Sequence, residues 1–170
     1  ELVLVFVLSA RINKMSVTTA TIMLIVYSAL NGATLSFIFL AYSLGSNAKT
    51  FFITTGMFGV MALVGATTKR DLSKMGSILL MALIGLIIAS LVNIFLRSSG
   101  LDWIISLIGV VLFTALTAYD VQRVKRLAIE TDLYDDTQVG RLAVISALSL
   151  YLDFINLFLY LLRFFGRNDG

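Results

Sequence analysis

The sequence predicts an all-α membrane protein, a polytopic helix bundle that surrounds its C-terminal helix. Of its 170 residues, 59% are hydrophobic and only 14% are charged, whereas about a quarter of the residues are charged in a soluble domain. The mean hydropathy is +0.97. The apolar runs are long and do not alternate with polar residues, which favours membrane-spanning helices over the strands of a barrel.

Composition excludes several kinds of site. The chain has no cysteine and no histidine, so it has no disulfides or thiolate metal sites, and proton sensing near neutral pH would have to use carboxyl groups. The net charge of +3 lies in short loops, where it reflects membrane topology rather than a nucleic-acid partner.

Five apolar segments are long enough to span a bilayer, for which roughly 20 helical residues suffice. They cover residues 17–44, 50–67, 76–96, 101–120 and 139–165. The shorter run at residues 2–10 is interpreted as a partial first helix. The fifth segment is expected to continue as a helix beyond the membrane face, because apolar residues keep helical spacing as far as Ala128. Residues 1–170 are therefore interpreted as one transmembrane domain.

Small residues indicate where helices approach one another closely. A seam with a spacing of four residues lies in the second segment: Ser28, Gly32 and Ser36. Three glycines predict tight packing of the next segment: Gly56, Gly59 and Gly65. Between these two segments, a turn is predicted at Gly45-Ser46-Asn47.

Lysine and arginine are distributed unequally between the two sides of the predicted bundle. One side holds nine of them: Arg11, Lys14, Lys69, Arg70, Lys74, Arg123, Lys125, Arg126 and Arg141. The other side holds four: Lys49, Arg97, Arg163 and Arg167. The side with nine is predicted to be cytoplasmic.

The last segment carries a carboxylate, Asp153, near its middle. Steps of three and four residues from it trace one polar stripe: Ser146, Ser149, Asp153, Asn156, Tyr160, Arg163 and Arg167. A charge at the bilayer centre costs at least about 2.5 to 3.5 kcal/mol, so the stripe is expected to face protein or water. Ser149 and Asn156 are predicted to support Asp153. A role for Asp153 in packing alone, bonded to Asn156 or a serine hydroxyl, is the structural alternative.

A second acid, Asp120, ends the fifth segment. One short loop joins the two helices, so they are expected to be antiparallel neighbours. Whether the acids meet depends on their depths, which the sequence leaves open. If they meet, they share one proton and titrate in two steps, and the fully ionised pair repels or attracts a cation. Arg11 is either a counter-ion for this pair or a topology anchor.

Four motifs resemble the transmembrane Bax inhibitor motif family. They are Leu8-Ser9-Ala10-Arg11, Asn31-Gly32, Ala118-Tyr119-Asp120-Val121-Gln122 and Leu150-Tyr151-Leu152-Asp153-Phe154-Ile155-Asn156-Leu157-Phe158. The resemblance implies seven transmembrane helices, six of them around the seventh, so the family's first helix and part of its second would precede residue 1. It also implies a bacterial inner-membrane protein with a di-aspartyl pH sensor at Asp120 and Asp153, engaged by Arg11.

Three functions follow from these residues and from the resemblance. The first is a pH-sensitive cation leak gated by the two acids. Ca²⁺ is the favoured ion, bound transiently by Asp120 and Asp153, because carboxylate oxygens suit a hard divalent cation. No resident cofactor is expected. The second is a non-conducting regulator in the lipid bilayer that binds another membrane protein, such as a protease, through the seam at Gly32.

The third is an intramembrane aspartyl protease, in which paired carboxyl groups share a proton. Such enzymes present the second acid in a Gly-x-Gly-Asp setting, whereas Asp153 is flanked by Tyr151, Leu152 and Phe154. The sequence therefore favours a protein that is not an enzyme.

Overall fold

The computed structural model describes residues 2–166, with side chains from residue 7. Its α-helices are α1 Leu2–Arg11, α2 Val17–Leu35, α3 Ile38–Ala41, α4 Leu44–Thr67, α5 Gly76–Leu96, α6 Ser99–Ile129 and α7 Asp136–Phe165. Short 3₁₀ turns lie at Ile12–Lys14, Ser73–Met75 and Glu130–Leu133. Five stretches are long and apolar enough to cross a membrane, and α1 has ten residues. The predicted fold class is confirmed.

The C-terminal helix α7 is the centre of the bundle. Every residue from Leu148 to Leu162 is at least partly buried. Two apolar clusters meet on this helix. One joins it to α5 and α6: Leu79, Leu86, Ile105, Leu112, Phe113, Leu157 and Leu161. The other joins it to α1 and α2: Leu8, Ala20, Tyr27, Val144 and Leu148.

Helix α4 packs against α7 through aromatic rings. The rings of Phe51 and Phe58 lie 5.9 and 5.4 Å from the ring of Phe154, in edge-to-face geometry. Most residues of the peripheral helix α5 are exposed, as expected for a surface that faces lipid chains. Helix α5 therefore forms part of the outer surface of the bundle, whereas α7 lies at its centre.

The connection between α2 and α4 differs from the prediction. The second segment is not one helix over residues 17–44, because α2 ends at Leu35 and the four-residue helix α3 follows. At this break, Ser36 Oγ donates a hydrogen bond of 2.6 Å to the carbonyl oxygen of Ala33. A serine hydroxyl that bonds to its own helix in this way often bends it.

The predicted turn at Gly45-Ser46-Asn47 is wrong, because these residues form the first turn of α4. Ser43 caps this helix, and its Oγ accepts a hydrogen bond of 3.1 Å from the amide of Ser46. Asn47 Nδ2 adds a bond of 3.0 Å to the carbonyl oxygen of Ser43. These local bonds start the helix six residues before Thr50, the predicted boundary.

The predicted glycine packing is confirmed at one position only. A Cβ atom on Gly65 would lie 2.3 Å from the carbonyl oxygen of Ala118, so α4 and α6 touch backbone to backbone there. Nothing in the described part of the chain lies within 4 Å of a Cβ on Gly32, Gly56 or Gly59. The prediction of close internal packing is wrong at these three glycines.

The three basic loops gather at one end of the bundle, called here the basic end. Arg141 Nε donates a 2.7 Å bond to the carbonyl oxygen of Met15, which ties the first loop to α7. Lys125 Nζ donates a 2.6 Å bond to the carbonyl oxygen of Ala66 at the end of α4. The positive-inside rule predicts that this end is cytoplasmic.

Gln122 on α6 holds the loop between α4 and α5 from both sides. Its Oε1 accepts a 2.8 Å bond from the amide of Leu72, and its Nε2 donates a 2.8 Å bond to the carbonyl oxygen of Arg70. Arg126 on the next turn pairs with Asp71 at 3.1 Å. The loop is therefore clamped onto the helix that carries Asp120.

Candidate functional site

The depths of the two acids match because α6 and its 3₁₀ turn continue well past Asp120. From Asp120 to Ile129 the helix rises about 14 Å, and the turn Glu130–Leu133 adds about 8 Å. From Asp136 to Asp153, α7 returns about 26 Å. The two paths agree within one helical turn, so Asp120 and Asp153 lie at the same level.

The carboxyl groups of Asp120 and Asp153 lie close enough to interact directly with each other. Asp153 is 4% exposed. Among the described residues, its Oδ2 has no N–H or hydroxyl partner. Two ionised carboxylates have no donor between them, so a hydrogen bond in this pair requires a proton on one of them. A proton shared by the two carboxyl groups would therefore join α6 to α7.

A small cavity lies between α6 and α7 on the basic-end side of Asp120. This cavity of about 20 Å³ borders Asp120, Ser146 and Ser149, which is enough room for one water molecule. A larger apolar cleft of about 380 Å³ between α6 and α7 shares Leu127 and Leu142 with this cavity. The residues that line the small cavity include Asp120 but not Asp153.

Comparison with known proteins decides the family. The model for the family described as inhibitor of apoptosis-promoting Bax1 matches residues 1–170. This chain belongs to the Bax inhibitor family. The predicted resemblance is therefore confirmed.

Relatives of this Bax inhibitor family chain occur in several bacteria. It is 57% identical over 169 residues to a protein of Borreliella burgdorferi, with 98% of this chain and 72% of the relative covered. It is 52% identical over 167 residues to the inner membrane protein YbhL of Escherichia coli K12, with 98% and 71% covered. A membrane protein of Streptococcus pyogenes is 47% identical over 170 residues, with 99% and 72% covered. These relatives and the five membrane-length helices confirm the predicted location in a bacterial inner membrane.

In this Bax inhibitor family chain, the cation beside Asp120 is Arg123, one turn further along α6. Arg123 interacts electrostatically with Asp120 and lines the same small cavity. Arg11, the predicted counter-ion, is exposed at the end of α1 and forms no ion pair with either acid in the described chain. Spacing along α6 could have indicated Arg123, since residues three apart on a helix are neighbours.

The supporting polar residues lie on the predicted stripe but do not hold Asp153 directly. Ser149 lines the small cavity. Asn156 Nδ2 donates a 2.8 Å bond to the carbonyl oxygen of Leu152 in its own helix. Further along, Arg163 pairs with Asp102 of α6 at 3.6 Å. Arg167, the last residue of the predicted stripe, lies outside the described residues.

Within the described chain, no group of three or more carboxylate, histidine or cysteine side chains could hold a metal ion. Asp120 and Asp153 supply only two carboxyl groups, whereas a complete Ca²⁺ site provides about six to eight oxygen ligands. Transient Ca²⁺ binding by Asp120 and Asp153 remains a prediction.

Proposed function

We propose that this Bax inhibitor family protein is a proton-gated cation leak whose gate is the pair of Asp120 and Asp153. The contact between their carboxyl groups carries the proposal. With one proton, the pair is a hydrogen bond that joins α6 to α7. When that proton leaves, two anions face each other away from bulk water, where their repulsion is several times stronger than in solvent. The same two anions attract a cation.

Ca²⁺ is the cation we propose, because carboxylate oxygens are ligands that hard divalent ions prefer. The ion is cargo in this scheme, and we propose no resident cofactor. The small cavity beside Asp120 would supply water to complete the shell of an ion at the pair. Arg123 at the rim weakens the attraction for cations, which favours rapid release over tight binding.

The test is Ca²⁺ flux into liposomes that contain the full-length protein, measured across a range of pH. Asp153→Asn keeps a hydrogen-bond donor next to Asp120 but cannot release a proton, so the pH dependence of flux is expected to disappear. Asp120→Asn is expected to act in the same way. Asp132→Asn, an exposed acid in the loop before α7, is the matched control. An unchanged pH profile in Asp153→Asn would exclude the gate.

A non-conducting regulator is the second candidate, and the exposed seam on α2 favours it. Ala29, Gly32 and Ala33 face outward, and small residues let another membrane helix approach closely. This function predicts no flux from the wild-type protein at any pH, together with co-purification of one membrane protein. Gly32→Leu should abolish that association, whereas Gly85→Leu on the lipid-facing side of α5 should not.

We also propose that the acid pair does not cleave peptides. Tyr151 is bonded to Asn31 at 3.0 Å, and Phe154 packs between Phe51 and Phe58. The side chains of these two neighbours of Asp153 are thus engaged by α2 and α4. Peptide cleavage by the purified protein that is lost in Asp153→Ala would contradict this proposal.

A further inference from the structure

Helix α4 carries a stripe of buried polar residues in the half remote from the basic end. Ser46, Asn47, Thr50 and Thr54 are only 5%, 3%, 1% and 0% exposed. Asn47, Thr50 and Thr54 follow one another at steps of three and four residues, so they share one face of the helix. This face points into the bundle.

The same face of α4 is directed at α7. Phe51 and Phe58 flank Thr54 at spacings of three and four residues, and both contact Phe154. At the other end, a Cβ on Gly166 would lie 2.5 Å from the ring of Tyr42, just before α4 begins. The two helices are antiparallel, so the stripe runs along α7 from its C-terminal end to the level of Phe154, the neighbour of Asp153.

Two oxygen atoms of this stripe have no partner among the described residues: Oδ1 of Asn47 and Oγ1 of Thr50. Asn47 Nδ2 donates to the carbonyl oxygens of Tyr42 and Ser43, at 3.1 and 3.0 Å. Two acceptors on the amide nitrogen fix the orientation of the side chain, which leaves Oδ1 as an open acceptor.

The hydroxyl group of Thr50 lacks the hydrogen bond that most threonines in the helices make to their own helix backbone. Seven of them donate to the carbonyl four residues earlier: Thr21, Thr34, Thr54, Thr55, Thr67, Thr114 and Thr117. Thr50 makes no such bond although it is nearly fully buried. Buried polar atoms are usually satisfied by protein or water, so two open oxygens one turn apart indicate a place where water or an ion binds.

We infer that the α4–α7 interface is a hydrated recess through which a small hard cation reaches Asp153 from the end opposite the basic loops. Asn47 Oδ1 and Thr50 Oγ1 supply neutral oxygen ligands along the way, and the inner end of the recess lies at Phe154, the residue after Asp153. This inference rests on the proposed function, for which it provides the other half of the route.

Cysteine labelling tests the recess without relying on flux. Residues 1–170 contain no cysteine, so each introduced thiol is the only one among them. Asn47→Cys and Thr50→Cys in full-length protein in liposomes are exposed to a membrane-impermeant cationic methanethiosulfonate. The matched control is Thr55→Cys, because Thr55 is exposed on the lipid-facing side of the same helix. A thiol in lipid does not ionise, so Thr50→Cys should react at least about tenfold faster than Thr55→Cys.

Flux through conservative variants provides the second measurement. Thr50→Val removes the hydroxyl and keeps the shape, and should lower Ca²⁺ flux several-fold while the pH midpoint stays unchanged, since the acid pair is intact. Thr55→Val should leave flux unchanged. If Thr50→Val does not fold, Asn47→Leu replaces it.

The outcomes separate the two ideas. Equal reactivity of Thr50→Cys and Thr55→Cys overturns the recess, whatever the flux. Rapid labelling at Thr50→Cys with no wild-type flux at any pH overturns the proposed leak and supports the recess. A shifted pH midpoint in Thr50→Val would overturn the assignment of Thr50 to the route, because it would assign this residue to the gate.

Discussion

Asn31 Nδ2 donates a hydrogen bond of 3.0 Å to the hydroxyl oxygen of Tyr151, which joins α2 to α7 two residues before Asp153. Asn31 is only 6% exposed. The ring of Tyr27 packs edge-on against the ring of Tyr151, with centroids 6.1 Å apart. These contacts hold α7 against α2 close to Asp153.

Removing the Tyr151 hydroxyl should therefore destabilise the bundle. Tyr151→Phe leaves the Asn31 amide buried without its acceptor, and we expect a loss of about 0.6 to 1.7 kcal/mol, from the average to the largest value for hydrogen bonds between membrane helices. Unfolding of the protein in detergent measures the loss. A double-mutant cycle with Asn31→Leu should recover most of it as coupling energy, and independent effects of the two substitutions would contradict the bond.

Gly65 should not tolerate a methyl group, because a Cβ there would meet the carbonyl oxygen of Ala118 at 2.3 Å. Gly65→Ala is expected to cost about 1 to 3 kcal/mol, as overpacking usually does. Gly59→Ala on the same helix is the control, since nothing in the described chain lies within 4 Å of its Cβ. A comparison of the two unfolding temperatures checks the prediction, and equal temperatures would show that the helices separate easily at this crossing.

Gln122 should control the opening of the loop between α4 and α5. Gln122→Leu removes both bonds to the backbone of Arg70 and Leu72, each worth about 0.5 to 1.5 kcal/mol. Hydrogen exchange at the Leu72 amide should speed up about tenfold or more. Gln138→Leu, an exposed position near the start of α7, should leave this amide unchanged. Unaltered exchange in Gln122→Leu would mean that Arg126 holds the loop without it.

Asp71 should make the same loop sensitive to acid. Hydrogen bonds from the amide and hydroxyl of Ser73 hold the pKa of this carboxyl below its ordinary value, and Arg126 lowers it further. Because the folded-state pKa is depressed, the stabilisation is present above the unfolded-state pKa and is lost as pH falls through the folded-state pKa. Titration of the Asp71 carboxyl by NMR should show a higher midpoint in Ser73→Ala than in the wild type. An identical midpoint would contradict the role of Ser73.

Much of the fold is predictable because a bilayer imposes strict demands on sequence. A charged residue inside an apolar segment must face protein or water, and this alone predicts that the Asp153 face of α7 points inward. Capping chemistry is also local, so Asp135 is recognisable as the N-cap of α7, where its carboxylate accepts a 2.8 Å bond from the amide of Gln138.

The errors concern features that depend on distant parts of the chain. A spacing of small residues shows that another helix can approach closely but does not identify that helix. The prediction of close packing is therefore correct at Gly65 and wrong at Gly59. The contact between Asp120 and Asp153 depends on the 3₁₀ turn that lengthens α6, and hydropathy does not register such a turn. The two hydrogen bonds of the Gln122 side chain reach residues about 50 positions away in the sequence. No local sequence pattern reveals such a contact.

The central position of α7 also constrains how the protein is made. Ribosomes synthesise α1 to α6 first, so these helices enter the bilayer before the element against which most of them pack. Until α7 is inserted, the inward faces of α2, α4 and α6, including Thr54 and Thr117, have only lipid or one another to contact. Assembly of the native bundle must therefore follow insertion of α7, and substitutions in α7 should reduce the yield of inserted protein more than equivalent changes in α5.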